Sequence, residues 1–425
     1  MQEPEDSPRE EQDSAAISLV QRGNLKALEK TLRKQWRLGQ NIVLCWSSDE
    51  RGLLVIMVPH YFLGNYCASD SAGQDNEDFI RELISGSRRC DRDEMFEISG
   101  RLEVAPTFIK LGTALSEDSA LLESVEQLIR RYGVSYVESR AVLLFDIVEF
   151  SLHTPFEQAS QLNSLSYSLN SAYNKLASLG IHINFARTTT GDGYYVWNRD
   201  LGAQANRDLF FFMVFVVADN AVARAASRGN TVPLVRTAFH VGGHYELYQA
   251  EGVNPSVFSY IVGDVTIELA RMIDLARTGQ ILLGDFEAEP LDAELVGRAI
   301  NTPGFVAACD RGLSAVSGLQ LSGKAIDALH CGLSEHRDAS GEQVPRRYKI
   351  VDKHGISRHA YNLQVSIDVG GDHLNLGLDP EQLQAAHTNP QGERAADEPV
   401  SSAEDAFEDL ALLLKKRNSR SIVED

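Results

Sequence analysis

The chain is poor in cysteine and in positive charge, and it has no long apolar run. Five cysteines stand in 425 residues, at Cys45, Cys67, Cys90, Cys309 and Cys331. Their number is odd and no C-x-x-C or zinc spacing occurs. This argues against a disulfide framework or structural zinc, and the expectation is free buried thiols in a reducing compartment. Forty Lys and Arg face sixty Asp and Glu, for a formal charge of -20. A surface that acidic repels phosphate backbones and anionic lipid, which argues against nucleic acid and membrane as partners. It still admits a nucleotide, because a metal ion can bring a small polyanion into an acidic site. The longest apolar run is the ten residues Leu209 to Ala218, about half of what a bilayer span needs. The N-terminus, MQEPEDSPREEQDS, lacks the apolar core of a secretory signal. A cytoplasmic protein is expected.

What is present is ordinary globular material, with 43% hydrophobic and 24% charged residues. Wholesale disorder is excluded, and the length suggests two or three domains. Residues 1–14 read as a disordered acidic tail. Residues 15–112 read as a small α/β domain of unknown role. Ala16, Leu19, Val20, Leu25, Leu28 and Leu32 recur at helical spacing, NIVLCW and GLLVIMVP read as strands around a turn at Ser47 to Glu50, and MFEISGRLEV reads as a further strand pair. Residues 113–137 read as a linker helix capped by Ser116-Glu117-Asp118, its stripe Leu121, Leu122, Val125, Leu128 and Ile129 fitting a packing helix or a short coiled coil.

Residues 138–370 are expected to form the domain that carries chemistry. AVLLFDIVEFS is a buried strand entering a loop, and Pro155 to Leu179 an amphipathic helix. INFARTTTGDGYYVW reads as strand, turn, strand. Leu209 to Ser227 is an apolar helix, LVRTAFHVGGHYEL a strand, Val265 to Ala276 a helix and GQILLGD a strand. Strands alternate with helices and hairpins are mixed in, so the class is α+β rather than a doubly wound sheet. Residues 286–347 look less regular, and RRYKIVDKHGISRHAYNLQVSI reads as a hairpin. Residues 371–425 read as a polar tail containing the amphipathic stretch DAFEDLALLLKK.

Two carboxylates end buried strands. Asp146 follows AVLLF, and Asp192 sits in the turn Gly191-Asp192-Gly193. Burying a lone carboxylate is costly, so an aspartate ending a core strand needs a reason. Paired strand-end carboxylates suit two Mg2+ or Mn2+ ions, which take oxygen ligands and substrate phosphates. The backbone N–H groups after Asp146, from Ile147 through Phe150 and Ser151, suit a triphosphate. Taken singly, Asp192 is also what a structural hairpin turn wants, and Asp146 what a helix cap wants.

The order F-D-I-x-x-F-S, T-G-D-G, R-x-x-x-H-x-G-G, V-G-D-x-x-x-x-x-A-R-M and G-Q-I-L-L resembles the class III adenylate/guanylate cyclase catalytic domain over residues 139–285, with a weaker tail at 348–365. The resemblance implies a ferredoxin-like palm. It also implies a homodimer that converts a nucleoside triphosphate, ATP by default, into a 3′,5′-cyclic nucleotide and pyrophosphate. Asp146 and Asp192, with the backbone of Ile147, match the positions that bind two Mg2+ or Mn2+ ions. Arg271 matches the arginine that stabilises the transferring phosphoryl group. Phe150, Ser151 and Gly191 fall in the nucleotide-binding loops, and Lys353 where a phosphate-binding lysine often stands.

The departures fall in base and ribose recognition. The usual ribose asparagine is replaced by Ile267, with Glu268 beside it. The base positions, usually Lys with Asp or Thr for adenine and Glu with Cys for guanine, hold Thr188 and Tyr260. Strand alternation turns the neighbouring Arg187 to the other face. Three readings stay open: an adenylate cyclase with a variant pocket, a pyrimidine cyclase similar to those of antiphage signalling, and a catalytically silent nucleotide- or protein-binding module. His240 and His244 read as structural. No G-x-S-x-G, no G-x-x-x-x-G-K-[ST] and no G-G-[DE]-E-F turn occurs.

Overall fold

The structure, a computed structural model, describes residues 17–379 apart from 69–72, 252–253, 292–297, 314–315, 317, 322, 338–340 and 352–354. The acidic N-terminal stretch, Lys353 and the DAFEDLALLLKK segment lie outside the described residues.

The N-terminal elements are α1 (Leu19–Trp36), β1 (Asn41–Asp49), β2 (Gly52–Pro59), α2 (Phe62–Cys67), α3 (Gly73–Ser85), α4 (Arg92–Leu102), β3 (Thr107–Lys110) and α5 (Ser119–Arg130). The three strands form an antiparallel sheet in the order β1-β2-β3. Strand β1 continues through the serines expected as a turn and reverses at Glu50-Arg51. One face of the sheet packs on α1 and α5, where Leu28, Leu32, Val43, Trp46, Val125 and Ile129 share a core. The apolar stripe of α5 is therefore satisfied inside the chain, as in a packing helix. The other face packs on α3 and α4 through Leu44, Ile56, Ile84, Met95 and Ile98, with Val134, Tyr136 and Tyr245 of the main sheet against it.

The stretch expected as a strand pair near residues 95–104 is instead helix α4. Its buried positions are Met95, Ile98 and Leu102, a helical spacing, while Phe96 stays half exposed. The Asp91 side chain starts it by accepting from the Glu94 N–H at 2.8 Å.

The main sheet begins with β4 (Val134–Ile147), followed by α6 (Pro155–Ser178), β5 (Phe185–Thr189), β6 (Gly193–Asn198), α7 (Ala203–Ala226) and β7 (Val235–Glu251). These six elements run βαββαβ. Their strands lie in the order β7-β4-β6-β5 with every neighbour antiparallel, which is the ferredoxin-like palm. Then come β8 (Asn254–Val262), α8 (Asp264–Leu275), β9 (Ile281–Gly284), β10 (Glu287–Ala288), β11 (Ile300–Asn301) and α9 (Thr302–Leu313). The chain continues through β12 (Gln320–Leu321), β13 (Lys324–Leu333), β14 (Glu335–Arg337), β15 (Gln343–Pro345), β16 (Arg347–Val351), β17 (Ser357–Val369) and β18 (Asp372–Leu376). Strand β9 joins β7 in parallel, β17 joins β9, and β13, β16 and β18 pair with β17. The stretch 286–347 is thus more regular than its sequence suggests, since α9 and β13 both belong to the main body.

Alternation along β4 divides the core. Ala141, Leu143, Phe145 and Ile147 face α6 and α7, while Val142 and Leu144 face α8. Helix α7 begins at Ala203, earlier than its apolar run. By length and composition it is the one described helix that could cross a membrane; here Leu209 to Ala218 are buried inside the chain.

Candidate active site

Asp146 is the next-to-last residue of β4 and shares the face of Val142 and Leu144. Cross-strand pairing carries that face outward, from Leu144 to Tyr195 on β6 and from Tyr195 to Thr188 on β5. The Tyr195 hydroxyl donates to the Thr266 carbonyl of α8 at 3.1 Å, so this is the face that α8 covers. Arg187, one residue from Thr188, reaches Ser166 of α6 at 2.9 Å, on the opposite face as alternation requires.

Asp192 reaches the same strand end from the β5–β6 turn. Gly191 takes φ 104°, which a glycine adopts without strain. The Thr190 hydroxyl donates to Asp192 Oδ1 at 3.1 Å, and the Asp192 carbonyl accepts from the Ile147 N–H at 2.9 Å. The next residue, Gly193, lies so close to β4 that an added Cβ would stand 1.9 Å from the Phe145 carbonyl oxygen. The turn is locked onto the end of β4, and the two carboxylates are brought together.

Asp146 is buried, and burial raises its pKa above the usual carboxylate range. Arg236, its partner across the β4–β7 ladder, opposes that shift, while Asp192 and Asp274 add to it. Arg236 donates to Asp146 Oδ2 through Nε at 2.9 Å and also through Nη2. Both bonds go to one oxygen of the carboxylate. Arg236 is the first residue of the R-x-x-x-H-x-G-G motif, whose pattern alone assigns it no role. Its direct register with Asp146 depends on how β4 and β7 pair, and no local pattern announces that.

After Ile147, whose side chain is buried among the α6 and α7 residues, Glu149 takes a left-handed φ of 55° and Phe150–Leu152 forms a single 3-10 turn. The Gln158 side chain donates to the carbonyls of Phe150 and His153, both at 3.1 Å. Thr154 and Glu157 form a capping box at the start of α6, with Pro155 in its first turn. Phe150 is half-buried and Ser151 exposed, while the N–H groups of Ile147 and Val148 are held by the carbonyls of Asp192 and Leu234, both at 2.9 Å.

Tyr260 lies on β8 opposite Leu247 and is 38% exposed. Strands β8 and β5 pack together, which brings the Tyr260 and Thr188 strands to one place. Arg271 is on α8, 3.7 Å from Asp274, whose charge reaches Asp146. Ile267 is 47% exposed in the first turn of α8, and Glu268 accepts from Arg358 Nε of β17 at 2.5 Å. The two histidines have structural surroundings. His240 meets Phe286 edge-on, and His244 contacts Arg140 at 3.2 Å. Burial lowers the pKa of each to about 4.

No group of three or more His, Cys, Asp or Glu placed to hold a metal occurs among the described residues. The donor set at the strand ends still fits a hard divalent cation. Two carboxylates whose charges disfavour each other meet at a partly open edge, and Mg2+ commonly takes only one or two protein carboxylates, with water and phosphate supplying the rest.

No family model and no curated protein matches this chain. Among solved structures, the chain is similar to the guanylate cyclase domain of RhGC from Catenaria anguillulae in complex with GTP. That likeness has 14% identity, 54% of this chain, 97% of that one and a TM-score of 0.32. The adenylyl cyclase CyaB from P. aeruginosa is similar at 12% identity, over 40% of this chain and 93% of that one, with a TM-score of 0.28. At these TM-scores the palm is established by the strand order of this chain's own sheet.

Proposed function

We propose that the chain is a nucleotidyl cyclase, converting a nucleoside triphosphate into a 3′,5′-cyclic nucleotide and pyrophosphate. The observation that carries this reading is the pairing of Asp146 and Asp192 at one edge of a ferredoxin-like sheet, joined by the Ile147–Asp192 backbone bond. The cyclase-like motif order then gives that pair a reaction.

Asp146, Asp192 and the Ile147 backbone would hold two Mg2+ or Mn2+ ions. When bound, such ions acidify a ribose 3′-hydroxyl and neutralise phosphate charge. The Ile147, Val148 and Gly191 N–H groups are engaged within the chain, so the loop would offer the triphosphate its backbone from Glu149 to Ser151. Arg236 holds the buried Asp146 in place and adds positive charge at the phosphate end. Arg271 stabilises charge on the transferring phosphoryl group, since a guanidinium spreads charge and binds two oxygens. Lys353 is assigned to the phosphates by the motif order alone. Two copies form the working unit, each site taking the carboxylates from one chain and Arg271 from the other. We place the protein in the cytoplasm.

ATP is the default substrate. A pyrimidine nucleotide is the second reading, and Tyr260 favours it. Tyr260 is bulkier than the Asp, Thr or Cys usual at its position, and its strand β8 lies beside β5, the strand of Thr188. Thr188 offers one hydroxyl, which donates or accepts and enforces no charge-based choice.

The test is incubation of full-length protein with each of the four NTPs and Mn2+, with chromatography of the products. One cyclic nucleotide should form, and Asp192→Asn should abolish it. Wild-type turnover in Asp192→Asn at saturating Mn2+ overturns the two-carboxylate site, and no product from any NTP overturns the enzyme reading. Strong ATP preference unchanged in Tyr260→Ala removes Tyr260 from the pocket.

A further inference from the structure

The N-terminal unit holds two neighbouring thiols that the cyclase reading leaves unused. Cys45 lies on β1, fully buried, where pairing with β2 shifts register after Val43. Cys90 is half-buried and precedes Asp91, the cap of α4. Residues 88–90 run alongside β1 as a short parallel ribbon. The Trp46 N–H donates to the Arg88 carbonyl at 2.8 Å, and the Cys90 N–H to the Trp46 carbonyl at 2.9 Å, with Trp46 opposite Arg89. Alternation then puts Cys45 and Cys90 on the same side of the ribbon, at diagonal positions. Both side chains belong to the core between β1 and α4, and the Cys90 thiol donates to the Trp46 carbonyl at 3.5 Å.

Arg88 stands at the other end of these three residues, fully buried. Its guanidinium donates to the Val43 carbonyl at 2.7 Å and the Leu44 carbonyl at 3.1 Å on β1. It also donates to the Val134 carbonyl and, at 3.1 Å, to the Ser135 hydroxyl on β4. The segment that carries one of the thiols therefore ties the N-terminal sheet to the start of β4, the strand that ends at Asp146.

We propose that Cys45 and Cys90 are a reversible oxidation site that closes to a disulfide with peroxide, and that closure shifts Arg88 and loosens the start of β4. Cys90 is the attacking thiol because it is the more exposed of the two. The neighbouring Cys45 thiol also holds its pKa below the usual thiol value, while the same pairing and burial push Cys45 up. The Cys90 thiolate attacks one peroxide oxygen, breaking the O–O bond and releasing hydroxide, and leaves a sulfenic acid. The Cys45 sulfur then attacks the Cys90 sulfur and expels the sulfenic oxygen as water, its own proton going to the solvent base. Two thiols and one peroxide give one disulfide and two waters.

Closure has to move backbone. With strands ~4.8 Å apart and a rise of ~3.3 Å per residue, diagonal Cα atoms lie about 8 Å apart, beyond the ~7 Å that a disulfide spans. Residues 88–90 must slide along β1, and Arg88 moves with them. This proposal does not depend on the cyclase reading.

The experiment treats full-length protein with stoichiometric hydrogen peroxide. Intact mass and peptide mapping read the bond, and hydrogen exchange reads residues 134–137. The expected result is loss of two hydrogen atoms, a peptide cross-linking Cys45 to Cys90, faster exchange at 134–137, and reversal by a dithiol reductant. Cys90→Ser, at the half-exposed position, should lose the cross-link and the exchange change. Cys67→Ser should keep both, although Cys67 packs on the same core. Oxygen addition or a different pairing in place of the Cys45–Cys90 bond overturns the site. A bond that forms with unchanged exchange at 134–137 overturns the coupling.

Discussion

On the proposed reading Asp146 must be ionised to hold a cation, so protons and cations would compete for it. Burial raises its pKa above that of an ordinary aspartate, and the charges of Asp192 and Asp274 raise it further. The sign follows directly. Cation affinity is complete above the raised pKa and is lost as pH falls through it, so the loss begins at a higher pH than for an exposed aspartate. The same shift acts oppositely on folding, since the buried ionised form costs stability above that pKa and the cost fades as pH falls. Arg236 opposes the shift, so Arg236→Ala should move the midpoint of Mn2+ loss to higher pH. Calorimetric Mn2+ titrations across pH on both proteins read this, and coincident midpoints would remove Arg236 from control of Asp146. The aspartates themselves were legible in the sequence, because each ends an apolar strand in a cyclase-like motif. Arg236 was not assigned there, because it meets Asp146 only through the pairing of strands ninety residues apart in sequence.

At the scale of elements, the β5–β6 turn and the end of β4 behave as one piece. Gly193 pairs with Asp146 and leaves no room for a methyl group beside the Phe145 carbonyl. Gly193→Ala must push the hairpin off β4, which should cost about 1–3 kcal/mol of stability as overpacking does. It should also abolish turnover, because Asp192 moves with the hairpin. Urea denaturation and the NTP assay together check this, and a variant with wild-type stability and turnover would show that the turn is not locked. Helix α4 shows why other elements were harder to read. Residues 95–104 carry apolar and polar residues in an order that fits a short strand pair as well as a helix. The helix is decided by the sheet face waiting to receive Met95, Ile98 and Leu102.

At the scale of the molecule, the proposed site is shared between two copies. If Asp146 and Asp192 act from one chain and Arg271 from the other, inactive Asp146→Ala and inactive Arg271→Ala proteins should complement each other. Random exchange makes half of the dimers mixed, each with one complete site of two, so about a quarter of wild-type turnover should return. A mixture that stays inactive after subunit exchange has been demonstrated would place the whole site within one chain.

The sequence by itself determined the alternation of strands and helices from residue 138 onward, the two strand-end aspartates, and the face on which Arg187 cannot help Thr188. Those follow from local rules: side-chain period, turn chemistry, and the cost of a carboxylate after an apolar run. Tertiary structure decided the rest. It set the β7-β4-β6-β5 strand order, the contact of β5 with β8, the placement of α5 in the N-terminal core, and the bonds from Arg236 to Asp146 and from Arg88 to β4. Each of these joins segments distant along the chain, and their meeting is fixed by which apolar faces bury each other and not by any residue's neighbours in sequence.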